Sequence, residues 1–550
     1  MERRTKVLEF CDDEATECAI LSHRWIDPTE VDYEDMANLA KMDRQGRDEI
    51  HSSLGYKKIV DTCKQAKRDG YEWVWVDTCC IDKRSSAELS EATNSMYRWY
   101  ENAKACYVYL HDVDSSSFPT KLDDERYPKS NGWPEWFSRG WTLQEMIAPS
   151  DVQFFNKNWE NIGNKKEHAR TLECITEVPK HVLINGLEGN RPCVAQIISW
   201  AANRTTTRVE DRAYSLMGLL DVNMPMLYGE GKKAFHRLQL DIIRSSDDQS
   251  IFAWGFRSSR VRIGSILADG PNDFEDCSGM ELENHDEFKT NFPELSSTNT
   301  DHFDVFPTTN RGIQIWMVLR RYRDSDSVFK AYLPCWHESS DSVLSINLVL
   351  WNSNYYRYPS TRVAALEDSP AEFRQVYLRY QDTPNHAVTF DIDDSGLVEN
   401  GFTRSENPTE NIFTLTNANP FCVKTYSENR SNSRFKVIFG QCLGLDWVHL
   451  GNFSFDKEVS IARGPDWATS MVDVPSRGYS CGRLWIHRLH LPESTWIVRT
   501  YRIAWERSKV RLRMEVCRGS QFQSGLNKWN AYDVEVSDLL VQVDHRHDHA

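Results

Sequence analysis

The sequence predicts a doubly wound α/β domain at the N-terminus, followed by a helical segment and then an all-β region. Three observations carry this reading. Short apolar runs alternate with helical periodicity over residues 1–160, helical spacing continues alone over 161–255, and period-two alternation takes over across 256–550. A chain of 550 residues accommodates about two to four domains, and the last region is expected to be sandwich-like and to hold one unit or more.

The first predicted strand is Cys18-Ala19-Ile20-Leu21, ending in Ser22-His23-Arg24-Trp25. After a long polar stretch, Tyr56, Ile59, Val60, Cys63 and Ala66 recur at helical spacing, with Gly70 where a helix C-cap belongs. Trp73–Val76 reads as a buried strand leading into Asp77-Thr78-Cys79-Cys80. Ser85 and Glu88 have capping-box spacing before an amphipathic helix running through Tyr100 to Ala103. Cys106–Leu110 is the third strand, Trp141–Ile147 a short helix stopped before Pro149, and Val152–Phe155 the fourth strand. This order implies a parallel sheet covered on both faces, and right-handed crossovers make a flavodoxin-like arrangement the most economical. Such sheets bind ligands beyond the C-terminal ends of their strands.

Three helical stretches follow, around Ile197–Ala202, Ala213–Leu220 and Phe235–Ile243. Alternation then marks strands near Ile313–Leu319, Val343–Trp351, Phe435–Phe439, Trp496–Ala504 and Val510–Val516.

Composition excludes several function classes. The net charge is −16 and there is no dense Lys/Arg run, which argues against nucleic acid as the main partner. Nineteen Trp indicate a largely folded chain. The fourteen Cys show no C-x-x-C pair and no regular spacing, so neither a zinc ribbon nor a disulfide framework is expected, and reduced thiols imply a cytoplasmic setting. No apolar leader is evident, and no stretch reaches the roughly 18 apolar residues of a membrane span.

Polar groups follow each of the first three strands: Ser22, His23 and Arg24; then Asp77, Thr78, Cys79 and Asp82; then His111 and Asp112. Strands commonly end in polar loops, so this pattern alone accounts for only part of a site. Glu145 lies one helical turn after Trp141, among Leu143 and Met146, where partial desolvation raises a carboxyl pKa. The local sequence by itself favours a surface glutamate. A zinc site or a nucleophile pair from His23 with Cys79 and Cys80 lacks supporting spacing, and buried structural cysteine is the simpler reading. Gly229-Glu230-Gly231-Lys232-Lys233 lacks phosphate-loop spacing. His545, His547 and His549 read as a disordered tail, and no metal or cofactor is expected.

Three blocks resemble the fungal HET (heterokaryon incompatibility) domain in order and spacing. They are Leu21-Ser22-His23-Arg24-Trp25, the run from Trp75 to Lys83 continuing through Ser95–Tyr100, and Ser138-Arg139-Gly140-Trp141-Thr142-Leu143-Gln144-Glu145. Thr207–Gly218, continuing through Tyr228-Gly229-Glu230-Gly231, looks like the helical segment that often follows this domain. The HET domain is in turn similar to the TIR domain, whose enzymatic members use a glutamate shortly after a Trp to split nicotinamide from ribose in NAD. The resemblance implies non-self recognition and programmed cell death. It casts Glu145 as catalytic, with Ser22, His23, Arg24, Trp25, Asp77, Thr78, Cys79, Asp82 and Trp141 around a nucleotide. The alternative it leaves open is a non-catalytic module that signals by self-association or through a protein partner. A nuclease is disfavoured by the charge.

Overall fold

Strand β1 (Cys18–His23) sits between β2 (Trp73–Val76) and β3 (Ala105–Tyr109), and β4 (Val152–Phe155) and β5 (Asn161–Asn164) extend the sheet beyond β3. The order is β2-β1-β3-β4-β5. The first three pairings are parallel and β4–β5 is antiparallel, so the sheet is parallel-rich with one reversed edge. This computed structural model describes most of residues 17–452, apart from short segments such as 294–305 and 359–369, and the strands between 486 and 518. Cys11 and the histidines His545, His547 and His549 lie outside the described residues.

Alternation along β1 distributes its side chains. Ile20 enters a core with Met96, Tyr100, Cys106, Val108, Leu143 and Met146, whereas Leu21 joins Val31, Met36, Ile59, Val76 and Cys79 on the opposite face. The sheet is therefore covered on both sides. Helices α1 (Tyr33–Asn38), α2 (Arg44–Ser52) and α3 (Leu54–Arg68) precede β2, while α4 (Ser86–Asn102) and α5 (Thr142–Ile147) flank β3.

The polar stretch after β1 is not a loop. Asp32, Asp43 and Ser53 each accept a backbone N–H from the first turn of α1, α2 and α3, at 2.8–3.0 Å. These short, capped helices bury almost nothing in the first two cases, so apolar periodicity misses them. Gly70 has φ +91°, as its place after α3 requires. Ser85 caps α4 through the Glu88 amide, but the Glu88 carboxylate turns back to the Asp82 amide at 2.9 Å, so the reciprocal capping box is not formed.

The helical segment, with helices at Val194–Ser199, Asp211–Tyr214 and Lys233–Ser245, shares one continuous core with the N-terminal sheet. So does the next unit. Six strands between Met280 and Leu378 form a sheet in which Val328–His337 pairs with both Ile313–Arg321 and Val343–Trp351, closing it into a barrel. Beyond it, a five-stranded and a four-stranded sheet enclose a second core of Phe390, Phe402, Tyr426, Phe435, Phe439, Leu512 and Met514. No helix among the described residues is long and apolar enough to cross a membrane.

The helical segment meets α4 where the Gly218 backbone lies against the Tyr97 side chain. A Cβ on Gly218 would lie 2.1 Å from the Tyr97 Cβ. Gly218→Ala is expected to cost about 1–3 kcal/mol through overpacking, read as a lower denaturant midpoint with an unchanged slope.

Candidate functional site

The pleat of β1 sends Ser22 toward α5 and His23 toward α1 and α3. Ser22 is fully buried, and its hydroxyl donates to Glu145 Oε2 at 2.5 Å while accepting the Trp136 indole N–H at 2.8 Å. Trp136 belongs to a 3-10 turn, Glu135–Ser138, and is itself fully buried. Tyr100 of α4 lies alongside, its hydroxyl on the Leu21 carbonyl at 3.1 Å. Glu145 is 4% exposed, so the surface position favoured by its local sequence is not what the fold provides. Helix α5 is buried along its whole length because the helical segment covers the side that would otherwise face water.

Desolvation pushes the Glu145 carboxyl up to about 8, and the like charge of Asp77 adds to it. The Ser22 and Tyr100 hydroxyls and Arg139 oppose the shift. Two buried cations bracket α5. At its start, Arg204 donates to Thr142 Oγ1 at 3.1 Å and to the Arg139 carbonyl at 2.9 Å. At its end, the Lys165 ammonium contacts the carbonyls of Met146, Ile147 and Pro149, where the helix carries partial negative charge. Burial lowers the Lys165 ammonium to about 8.

The other face of the same sheet edge holds a second polar cluster. His23 lies 3.5 Å from Glu30 and 3.8 Å from Asp77, and Lys58 holds Glu30 at 2.7 Å. Burial acts to raise the Glu30 carboxyl, but His23 and Lys58 outweigh it and bring it down to about 2. The Trp25 indole donates to Asp77 Oδ2 at 2.8 Å, with the Lys83 ammonium 3.6 Å over its ring. Arg24 pairs with Glu135, which also lies 3.7 Å from His111.

Residues 19–133 match the family model described as heterokaryon incompatibility protein (HET). The chain carries a HET domain. Residues 233–334 match a domain of unknown function, DUF8212. A stretch of 227 residues is 46% identical to the vegetative incompatibility protein HET-E-1 of Podospora anserina. It amounts to 40% of this chain and 16% of that relative. No solved structure matches.

The HET match contains Ser22, His23 and Asp77 but stops before Trp136 and Glu145, so the carboxyl centre lies across its edge. Of the residues expected around a nucleotide, the fold brings Ser22 into contact with Glu145 and keeps Asp77 close enough for its charge to act there. His23 and Trp25 lie with Asp77 in the second cluster, and Arg24 is held on Glu135. Thr78 is buried, with no hydrogen bond to its hydroxyl. Cys79 packs into the Leu21 core, and Asp82 is occupied by Arg84. Trp141, at the start of α5, acts to lower the proton affinity of Asp211 in the helical segment, whose carboxylate accepts from Tyr228 at 3.0 Å. Trp136, Arg204 and Lys165 have no distinguishing sequence pattern, because each reaches α5 or β1 only through the tertiary fold, and Tyr100 is legible as part of a helix but not as a neighbour of Ser22. Among the described residues, no group of three or more His, Cys, Asp and Glu side chains is placed to hold a metal ion.

A carboxyl raised from 4.5 to about 8 stabilises the HET domain fully below pH 4.5, and that contribution is lost as pH rises through 8. The full swing corresponds to roughly 5 kcal/mol. Glu145→Gln is therefore expected to leave stability near pH 4 little changed and to raise it by a few kcal/mol at pH 9, in denaturant titrations across that range. Lys165→Met is expected to loosen α5, seen as faster amide exchange in Thr142–Ile147 than in α4.

Proposed function

We propose that this chain acts in heterokaryon incompatibility, with the HET domain as the part that triggers cell death. In this reading, the Glu145–Ser22 centre cleaves the bond between nicotinamide and ribose in NAD or a related nucleotide. The observation that carries it is a buried carboxyl, held by a serine hydroxyl at 2.5 Å, at the C-terminal end of β1 where the strand order reverses between β2 and β3. The strand order β2-β1-β3-β4 also supports a flavodoxin- or TIR-like reading of this domain. The name of the Podospora relative supports the pathway.

The chemistry suits such a centre. As the glycosidic bond breaks, positive charge develops on the ribose; opening of the cover rehydrates Glu145 and lowers its proton affinity, and the ionised carboxylate stabilises that charge while Ser22 fixes its orientation. Nicotinamide departs with the bonding electrons, becoming neutral, and water adds to the sugar with loss of a proton. Glu145 is sealed in the described state, so the reading requires that the cover formed by residues 133–141 and 204–211 open to admit substrate.

The same closure favours a second reading, in which Glu145 is a structural acid and the HET domain signals by self-association or through a protein partner. Nicotinamide release from NAD separates the two. Purified full-length protein is expected to release it, and Glu145→Ala to lose at least a hundredfold of that rate. Equal, background-level release by both folded proteins, together with cell death on expression of either, would favour the signalling module.

A further inference from the structure

Two pieces cover the Ser22–Glu145 centre, and they are held in different ways. The turn Glu135–Ser138 is anchored by its side chains. Trp136 is fully buried with its indole on Ser22, and Phe137 is buried edge-on against Phe118. The other piece is the strap 203–209, an irregular stretch of the helical segment. Trp200, Ala201 and Ala202 are buried just before it, and Ala213 and Tyr214 just after it. Glu210 pins its far end by accepting the amides of Gly229 and Gly231 at 2.8 and 2.9 Å. Between these fixed ends no residue except Arg204 is buried, and Val209 is 54% exposed.

The strap rests on the loop before α5 mainly through hydrogen bonds. The Thr205 amide donates to the Ser138 carbonyl at 2.7 Å, and the Gly140 amide donates to the Thr205 carbonyl at 2.9 Å. Arg139 Nη2 donates to Thr207 Oγ1 at 3.0 Å. Arg204 Nη1 reaches Thr142 Oγ1 at 3.1 Å and the Arg139 carbonyl at 2.9 Å. Thr142 and Glu145 stand one turn apart on the same face of α5, so the guanidinium seated on Thr142 lies across the approach to the carboxyl. A Cβ on Gly140 would sit 2.6 Å from Thr206 Cγ2, so the Thr206 methyl rests on bare backbone.

Such a seam opens readily. Its hydrogen bonds are exchanged for bonds to water at small net cost, and the buried apolar side chains that hold the Trp136 turn are missing from the strap. Arg204 favours release as well. Its Nη2 is buried without a hydrogen-bond partner, and no carboxylate pairs with the cation among the described residues, a cost that water relieves once the strap lifts.

We infer that the strap 203–209 is the gate of the carboxyl centre: it lifts between Ala202 and Glu210 while the Trp136 turn stays seated, and the helical segment thereby controls access to Glu145 from outside the HET match. That the gate admits a nucleotide rests on the cleavage reading; the opening itself does not.

Gly140→Ala perturbs the seam selectively. Gly140 does not occupy the left-handed region, so the new Cβ conflicts chiefly with the Thr206 methyl, which Thr206→Ser removes. The test uses full-length protein and two readouts. One is amide protection at residues 140 and 137, which donate to Thr205 and Pro134. The other is the rate at which a water-soluble carbodiimide and glycinamide label Glu145. In the wild type, residue 140 is expected to be at least about tenfold less protected than residue 137. Gly140→Ala is expected to lower protection at 140 and speed labelling of Glu145 by about fivefold or more, with 137 unchanged. Adding Thr206→Ser is expected to restore both. If Gly140→Ala does not fold, Thr205→Pro, which lacks the amide bonded to Ser138, takes its place. Equal protection at 137 and 140 in the wild type overturns the inference, because the cover then opens as one piece. So does a loosened seam with unchanged labelling of Glu145, or a loss that Thr206→Ser does not restore. Neither readout involves nicotinamide release, so failure of the gate and failure of the cleavage reading are separable.

Discussion

One hydrogen bond, from the Ser22 hydroxyl to the Glu145 carboxyl, ties the end of β1 to the short helix that follows β3. Around it the fold has removed water. Ser22 and Trp136 are fully buried, Glu145 nearly so, and helix α5 has no exposed face. The buried groups along α5 are consequently shifted: Glu145 rises, while Lys165 and Arg204 lose proton affinity. A hydrogen bond in such surroundings is electrostatically strong, and an unmet partner is correspondingly costly.

The division of labour between the two faces of the sheet follows from the strand's period of two. Adjacent residues Ser22 and His23 face opposite sides, so one edge carries two polar centres rather than one. The α1–α3 side is an ion-pair network, with Glu30 and Lys58 joined and His23 and Asp77 beside them. The α5 side is dry and organised around a single acid. Asp77 connects them, because its charge reaches Glu145 while its carboxylate accepts from Trp25. Loss of charge on one side is therefore felt on the other.

The continuous core makes the N-terminal sheet, the helical segment and the first barrel one packed body, with the second pair of sheets holding its own core. A site at the seam of such a body is governed by contacts from several segments. Ser138 and Gly140 are engaged by Thr205, and Arg139 by Thr207, so the loop before Glu145 is held from the helical segment at successive residues.

Local sequence determined a good deal here. The four parallel strands, the helix before Gly70, α4 and α5 were legible because apolar spacing and turn residues act over a few neighbours. The HET blocks were legible for the same reason, being contiguous runs. The first two helices after β1 were not, since their stability comes from caps rather than from an apolar stripe. Burial of Glu145 was decided only by the tertiary structure. Residues 141–147 are the same seven letters whether or not a helical segment sixty residues later lies over them, and desolvation depends on that cover. The separation of His23 from Ser22 needed the sheet to be two-sided, and the placing of Arg204 and Lys165 at the two ends of α5 needed the chain to return. Periodicity reports what a residue's neighbours are in sequence; the protonation of a carboxyl depends on what its neighbours are in space.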